Sequence, residues 1–145
     1  MKIESAAFKN NEPIPSEYTC DGKNINPPLS ISGIPEGAKS LALILEDPDA
    51  SIGTFTHWTI WNIDPAIKEI AENGDAGGIE GATDFGSSHY GGPCPRSGTH
   101  RYFFKLYALD TMLSIPKNSD KKILEDSMGG HILSSAEIIG LYHKK

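Results

Sequence analysis

No apolar run in this 145-residue chain approaches the roughly 20 residues that a bilayer-spanning helix needs, and the N-terminal Met1-Lys-Ile-Glu-Ser5 lacks a signal-peptide apolar stretch. Stable membrane insertion is not expected; a cytoplasmic location is. Positive charge is scarce as well: 13 Lys and Arg stand against 19 Asp and Glu, a net charge of -6, with no Lys/Arg cluster. A surface of that sign repels nucleic acid and anionic membranes, which excludes polyanions as partners but leaves room for one bound phosphate. Cysteine is reduced to two residues, Cys20 and Cys94, outside any Cys-x-x-Cys spacing. In a reducing compartment these read as two free thiols; a disulfide or a shared metal requires their loops to meet. The chain also lacks HExxH and GxSxG motifs, so no reacting group announces itself, no cofactor is expected and a non-enzymatic role is the first reading. No repeat, low-complexity tract or linker divides the sequence, so residues 1–145 are read as one domain, large enough to bury a core.

What is abundant is Gly and Pro, 15 and 10 residues respectively, a composition of short strands and many turns. Residues 11–36, with Pro13, Pro15, Pro27, Pro28, Gly33 and Pro35, exclude a long helix and predict loop with short edge strands. Leu41-Ala-Leu-Ile-Leu-Glu46 is an apolar run of strand length, ended by Asp47-Pro-Asp49. Thr56-His-Trp-Thr-Ile-Trp-Asn-Ile63 is rich in β-branched and aromatic residues and predicts a second buried strand. Residues 66–89 hold five glycines and predict a long loop with a short strand near Ile79. A third strong strand spans residues 100–109, and its alternation sets His100, Tyr102, Phe104, Leu106 and Ala108 on one face. Ser119 or Asp120 caps a short helix that stops at Gly129-Gly130, with Ile123, Leu124 and Met128 at helical spacing. For residues 131–143 a helix passing into a terminal strand is expected. Together these predict a mainly antiparallel β-sandwich with one or two short peripheral C-terminal helices.

Three strand ends then converge on one rim: Asp47 and Asp49 after the first, His57 at the start of the second, His100 and Tyr102 at the start of the third. A phosphate-like anion needs hydrogen-bond donors with little bulk, and imidazoles, a phenol and the backbone N–H groups of Gly91, Gly92 and Gly98 supply them. A carboxylate suits a different task, accepting from one imidazole nitrogen so that the other faces the ligand, and Asp47 is assigned it. Asp49 reads both as a site residue and as a turn cap. Trp58 and Trp61 read as core, Arg101 as an ion-pair partner, and His89, His131 and His143 as surface residues.

These residues resemble a known family. Asp47-Pro-Asp-Ala50, His57-Trp58, Tyr90-Gly-Gly-Pro-Cys-Pro95 and His100-Arg-Tyr102 are similar to the signatures of phosphatidylethanolamine-binding proteins, in particular their bacterial and archaeal Raf-kinase-inhibitor-like branch. Tyr18-Thr-Cys-Asp-Gly22, Pro27-Pro-Leu-Ser30, Asp84-Phe-Gly86 and Leu106-Tyr-Ala-Leu-Asp110 extend the resemblance, in order, over nearly the whole chain. It implies a β-sandwich with a small pocket for phosphate, acetate-like anions or a phosphoethanolamine head group. It maps that pocket onto Asp47, Pro48, Asp49, His57, Gly92, Pro93, His100 and Tyr102. Two positions depart from the family pattern: Ser51 and Arg96 stand where proline is common, and Arg96 is expected to point into solvent. The tyrosine with which animal members close the pocket has only a weak counterpart in Tyr142.

Three functions follow as expectations. The first is a binding module for a small anion or phosphorylated small molecule. The second is a metal-dependent hydrolase built from the His and Asp side chains. The third is an inhibitor that acts on a kinase or protease partner through a protein interface. A monomer and a homodimer are equally compatible with the sequence.

Overall fold

The computed structural model describes residues 1–145. It contains nine strands, β1 (Lys2–Glu4), β2 (Glu12–Pro13), β3 (Leu29–Ser32), β4 (Ser40–Asp47), β5 (Phe55–Ile63), β6 (Glu69–Ile70), β7 (Ile79–Glu80), β8 (Thr99–Leu109) and β9 (Ile132–His143), with one α-helix, α1 (Lys121–Met128), and a single 3-10 turn at Ser16–Tyr18. The strands form a small sheet, β1-β3-β6, and a six-stranded sheet, β2-β9-β8-β4-β5-β7. All pairings are antiparallel except that of β2 with β9.

The apolar run of β4 has its explanation in this order. β4 lies inside the large sheet between β5 and β8, covered on both faces, and all eight of its residues are buried. Leu41, Leu43 and Leu45 point into a core shared with Ile3, Ile31 and Ile70 of the small sheet. Ala42 and Ile44 point the other way, onto Trp61, Leu124 and Met128 in the layer beneath α1. Strands buried on both faces lose the polar alternation of half-exposed ones, so a continuous apolar run is what such a position requires. On β8 only one face is sealed: Tyr102, Phe104, Leu106 and Ala108 are buried, while Arg101 is exposed.

α1 begins where Asp120 accepts a hydrogen bond from the Ile123 amide at 3.0 Å, so Asp120 rather than Ser119 is its N-cap. Lys121 fastens the helix to the sheet through Glu46, Nζ to Oε2 at 2.9 Å. No helix of the chain is long and apolar enough to cross a membrane.

Residues 131–143 correct the expectation of a helix passing into a strand. Ile132–His143 is one continuous strand, paired with β8 from Thr99↔His143 to Leu109↔Ile132. Long-range pairing overrides local propensity here, and burial at Ile138, Gly140 and Tyr142 has period two. Gly140 is a close-approach site: a Cβ there would overlap the Ile14 side chain.

Candidate functional site

At the common end of β4, β5 and β8 an open cavity of about 260 Å³ is lined by Asp47, Asp49, His57, His100 and Tyr102, together with Ala50, Ser51, Ile52, Phe55, Phe85 and the loop Cys94–Ser97. The alternation of β8 turns His100 and Tyr102 into it, and β5 opens it with His57. The volume suits a small molecule.

Asp47, buried at the last position of β4, divides its two oxygens. Oδ1 accepts from the Asp49 amide at 2.7 Å, closing the turn, and Oδ2 accepts from His100 Nδ1 at 2.7 Å. His100 is thereby held with Nε2 as its remaining ring nitrogen. His57 is held the same way by a different acceptor, since its Nδ1 donates to the Gly91 carbonyl at 2.7 Å. Around its ring stand Phe55, Phe85 and Tyr102, at centroid distances of 5.0, 5.1 and 5.3 Å, each edge to face. Burial pushes the His57 pKa down, against the opposing pull of the Gly91 and Gly92 backbone and of the Asp47 and Asp84 charges. The Tyr102 hydroxyl is fully buried and meets no partner at hydrogen-bond geometry within the protein, with the Asp47 carboxylate and the Cys94 amide near it. Burial first, and the Asp47 charge second, raise its pKa well above the ordinary tyrosine value, so it stays a donor.

Asp49 lies in the wall of the cavity with its carboxylate already engaged. Arg101 reaches it through its backbone amide, Nε and Nη2, all at 2.9 Å. Those hydrogen bonds, more than the charge itself, hold the Asp49 carboxyl at about 2. Asp49 is therefore a rim clamp whose acceptors face Arg101, and Arg101 is the ion-pair partner the sequence indicates.

Pro48, Gly92 and Pro93 do not line the cavity. Pro48 is exposed in the turn, whereas Gly92 and Pro93 are buried behind the pocket wall. The Gly92 amide donates to Asn24 Oδ1 at 2.7 Å, the Pro93 carbonyl accepts from the Cys20 amide at 3.1 Å, and the Gly91 amide donates to the His57 carbonyl at 3.1 Å. The Gly91 and Gly92 amides proposed as anion donors are thus spent within the fold, and Gly98 lies outside the cavity lining. Arg96, expected in solvent, is exposed but also lines the mouth. Tyr142 is buried, and its hydroxyl donates to Asp21 Oδ2 at 2.6 Å rather than closing the pocket.

The cysteines are a further correction: Cys20 and Cys94 form a disulfide, with Cα atoms 5.5 Å apart, and no free thiol remains. The two loops meet because the Tyr90 hydroxyl donates to the Tyr18 carbonyl at 2.7 Å and because Gly92 has no Cβ to obstruct that approach. Their 74-residue separation hid the pairing from the sequence. Sequence reasoning also missed the aromatic walls. Phe85 lies within the Asp84-Phe-Gly86 motif and Phe55 directly before the second predicted strand, but nothing local shows that both rings close on His57. No group of three or more His, Cys, Asp or Glu side chains is arranged to hold a metal ion.

Comparison with known proteins identifies relatives of the whole chain. The family model for phosphatidylethanolamine-binding protein matches residues 4–143. The chain is 49% identical over 150 residues to the UPF0098 protein of Methanothermobacter thermautotrophicus, covering 99% of each. It is 48% identical to a UPF0098 protein of Pyrococcus horikoshii, covering 97% of this chain and 76% of that one. Among solved structures, a phosphatidylethanolamine-binding protein homolog from Chlamydia trachomatis superposes with a TM-score of 0.96 at 41% identity, covering 99% of this chain and 97% of the other. E. coli YbcL, described as a member of the mammalian family, gives 0.91 at 31% identity, with 99% and 98% covered.

Proposed function

The chain belongs to the phosphatidylethanolamine-binding protein family, and from that premise we propose that its pocket binds a small oxyanion or phosphorylated head group without transforming it. The observation that carries this reading is the Tyr102 hydroxyl, fully buried, bordering the cavity and without a protein partner. A buried donor left unpaired costs about 1 to 3 kcal/mol, which a ligand oxygen in the cavity recovers. Arg96 at the mouth and Ser97 beside it add donors on the solvent side. Asp47, His57 and His100 are pre-set by protein partners, so a ligand meets side chains whose ordering cost is already met.

The test is calorimetric titration of phosphoethanolamine into the protein and its His57→Ala variant. Removing one ligand contact of charge-assisted strength weakens binding by about 1.5 to 3 kcal/mol, roughly ten- to 150-fold, with the unfolding transition little changed. An unchanged affinity in a folded variant would remove His57 from the site. Action on a kinase or protease partner remains a separate proposal, and no surface feature described above favours it.

A further inference from the structure

The floor of the pocket is better supplied with hydrogen-bond acceptors than an anion site should be. His57 Nδ1 faces the Gly91 carbonyl, which can only accept, so Nδ1 carries the hydrogen and a neutral His57 offers a lone pair at Nε2. His57 lines the cavity, and the hydrogen bond its ring makes to the protein, to the Gly91 carbonyl, is at Nδ1. The Gly91 and Gly92 amides do not offset this, because they donate to the His57 carbonyl and to Asn24 Oδ1. Tyr102 is the one buried donor on the floor without a partner. Asp47 and Asp84 favour a proton on His57, but each is engaged elsewhere. Asp47 on β4 is shared with His100 of β8, Asp84 on the β7–β8 loop accepts from the Thr56 amide at 2.8 Å, and Asp49 is neutralised by Arg101. Arg96 is the one Lys or Arg lining the mouth, and Asp47 and His100 line the cavity with it.

We propose that the pocket selects an oxyanion that still carries a hydrogen, a phosphate monoester in its monoanionic form, with the ligand O–H donating to His57 Nε2 and Tyr102 donating to a second ligand oxygen. This rests on the anion reading above and narrows it. A sulfate ester of the same shape and charge has no hydrogen to give near neutral pH and leaves His57 facing an acceptor. Sites built to pair with a substrate hydroxyl discriminate strongly against analogues that lack it. A phosphate ester offered as the dianion binds only with uptake of a proton, which then sits between the ligand and His57.

The experiment titrates methyl phosphate and methyl sulfate into the wild-type protein at pH 7, followed by NMR. Proton uptake by methyl phosphate at pH 8 is measured calorimetrically in two buffers of different ionisation heat. Methyl phosphate should bind at least about tenfold more tightly and take up about one proton per molecule at pH 8, where the free ester is a dianion. Burial favours neutral His57, so methyl sulfate should gain affinity as falling pH places a proton on that ring. In His57→Gln the side-chain amide nitrogen takes the place of Nε2 as a donor, and the preference for phosphate should collapse. Equal affinities at pH 7 with no proton uptake would overturn the inference and leave the anion site standing. Failure of both ligands to bind would overturn the anion reading and this inference together.

Discussion

Asp47 and Asp49 stand two residues apart on one turn, yet their carboxylates work in opposite directions. Asp47 faces inward and orients His100, whereas Asp49 faces Arg101 at the rim. The Asp49 carboxyl should therefore titrate at about 2 in a carbon-detected NMR series, and Arg101→Ala should return it toward 3.8. Because the folded value is depressed, what Asp49 adds to stability is complete above the ordinary carboxylate pKa and lost as pH falls from about 4 toward 2. A normal midpoint would show the clamp open in solution. At this scale the sequence was legible where a residue's task is set by strand alternation or turn chemistry, as for His100, Tyr102 and the Asp47-Pro-Asp49 turn. It was not legible for the glycine amides of the 91–92 loop. Their partners, the His57 carbonyl and Asn24, belong to segments far away in the chain, and a Gly-rich loop with free amides has the same sequence as one with its amides satisfied.

The segments 16–24 and 90–98 form the scaffold of the site although neither contains a strand before Thr99. They are joined through Gly92, where a Cβ would overlap the Tyr18 carbonyl and Asn24 Oδ1, atoms held by the backbone and by the Gly92 amide itself. Gly92→Ala should therefore destabilise the protein by more than about 2 kcal/mol in urea unfolding, a cost of overpacking that flexible neighbours would have absorbed. A change within about 0.5 kcal/mol would mean that the two loops part readily. Among elements, the long strands were readable because apolar runs and alternation mark them. β9 was not, because Gly140 and the Ser134-Ser135 pair obscure a pattern that becomes a strand only beside β8.

For the molecule as a whole, the consequential covalent feature is the Cys20–Cys94 bond, which closes a loop of about 75 residues and ties the Cys94 wall of the cavity to the Cys20 loop. Chain-entropy reasoning gives such a crosslink about 4 kcal/mol, so reduction should lower the unfolding free energy by that order, measured with and without dithiothreitol. An unchanged midpoint would assign the loop junction to its hydrogen bonds alone. The bond also bears on compartment, since outside hyperthermophiles disulfides are rare where glutathione keeps thiols reduced. The central claim is the pocket itself, and a two-dimensional NMR titration of histidine-labelled protein with phosphoethanolamine at constant pH tests it most directly. The imidazole signals of His57 and His100 should move together and saturate at one ligand per protein, while those of His89, His131 and His143 stay in place. Unmoved His57 and His100 signals at saturating ligand would contradict the account.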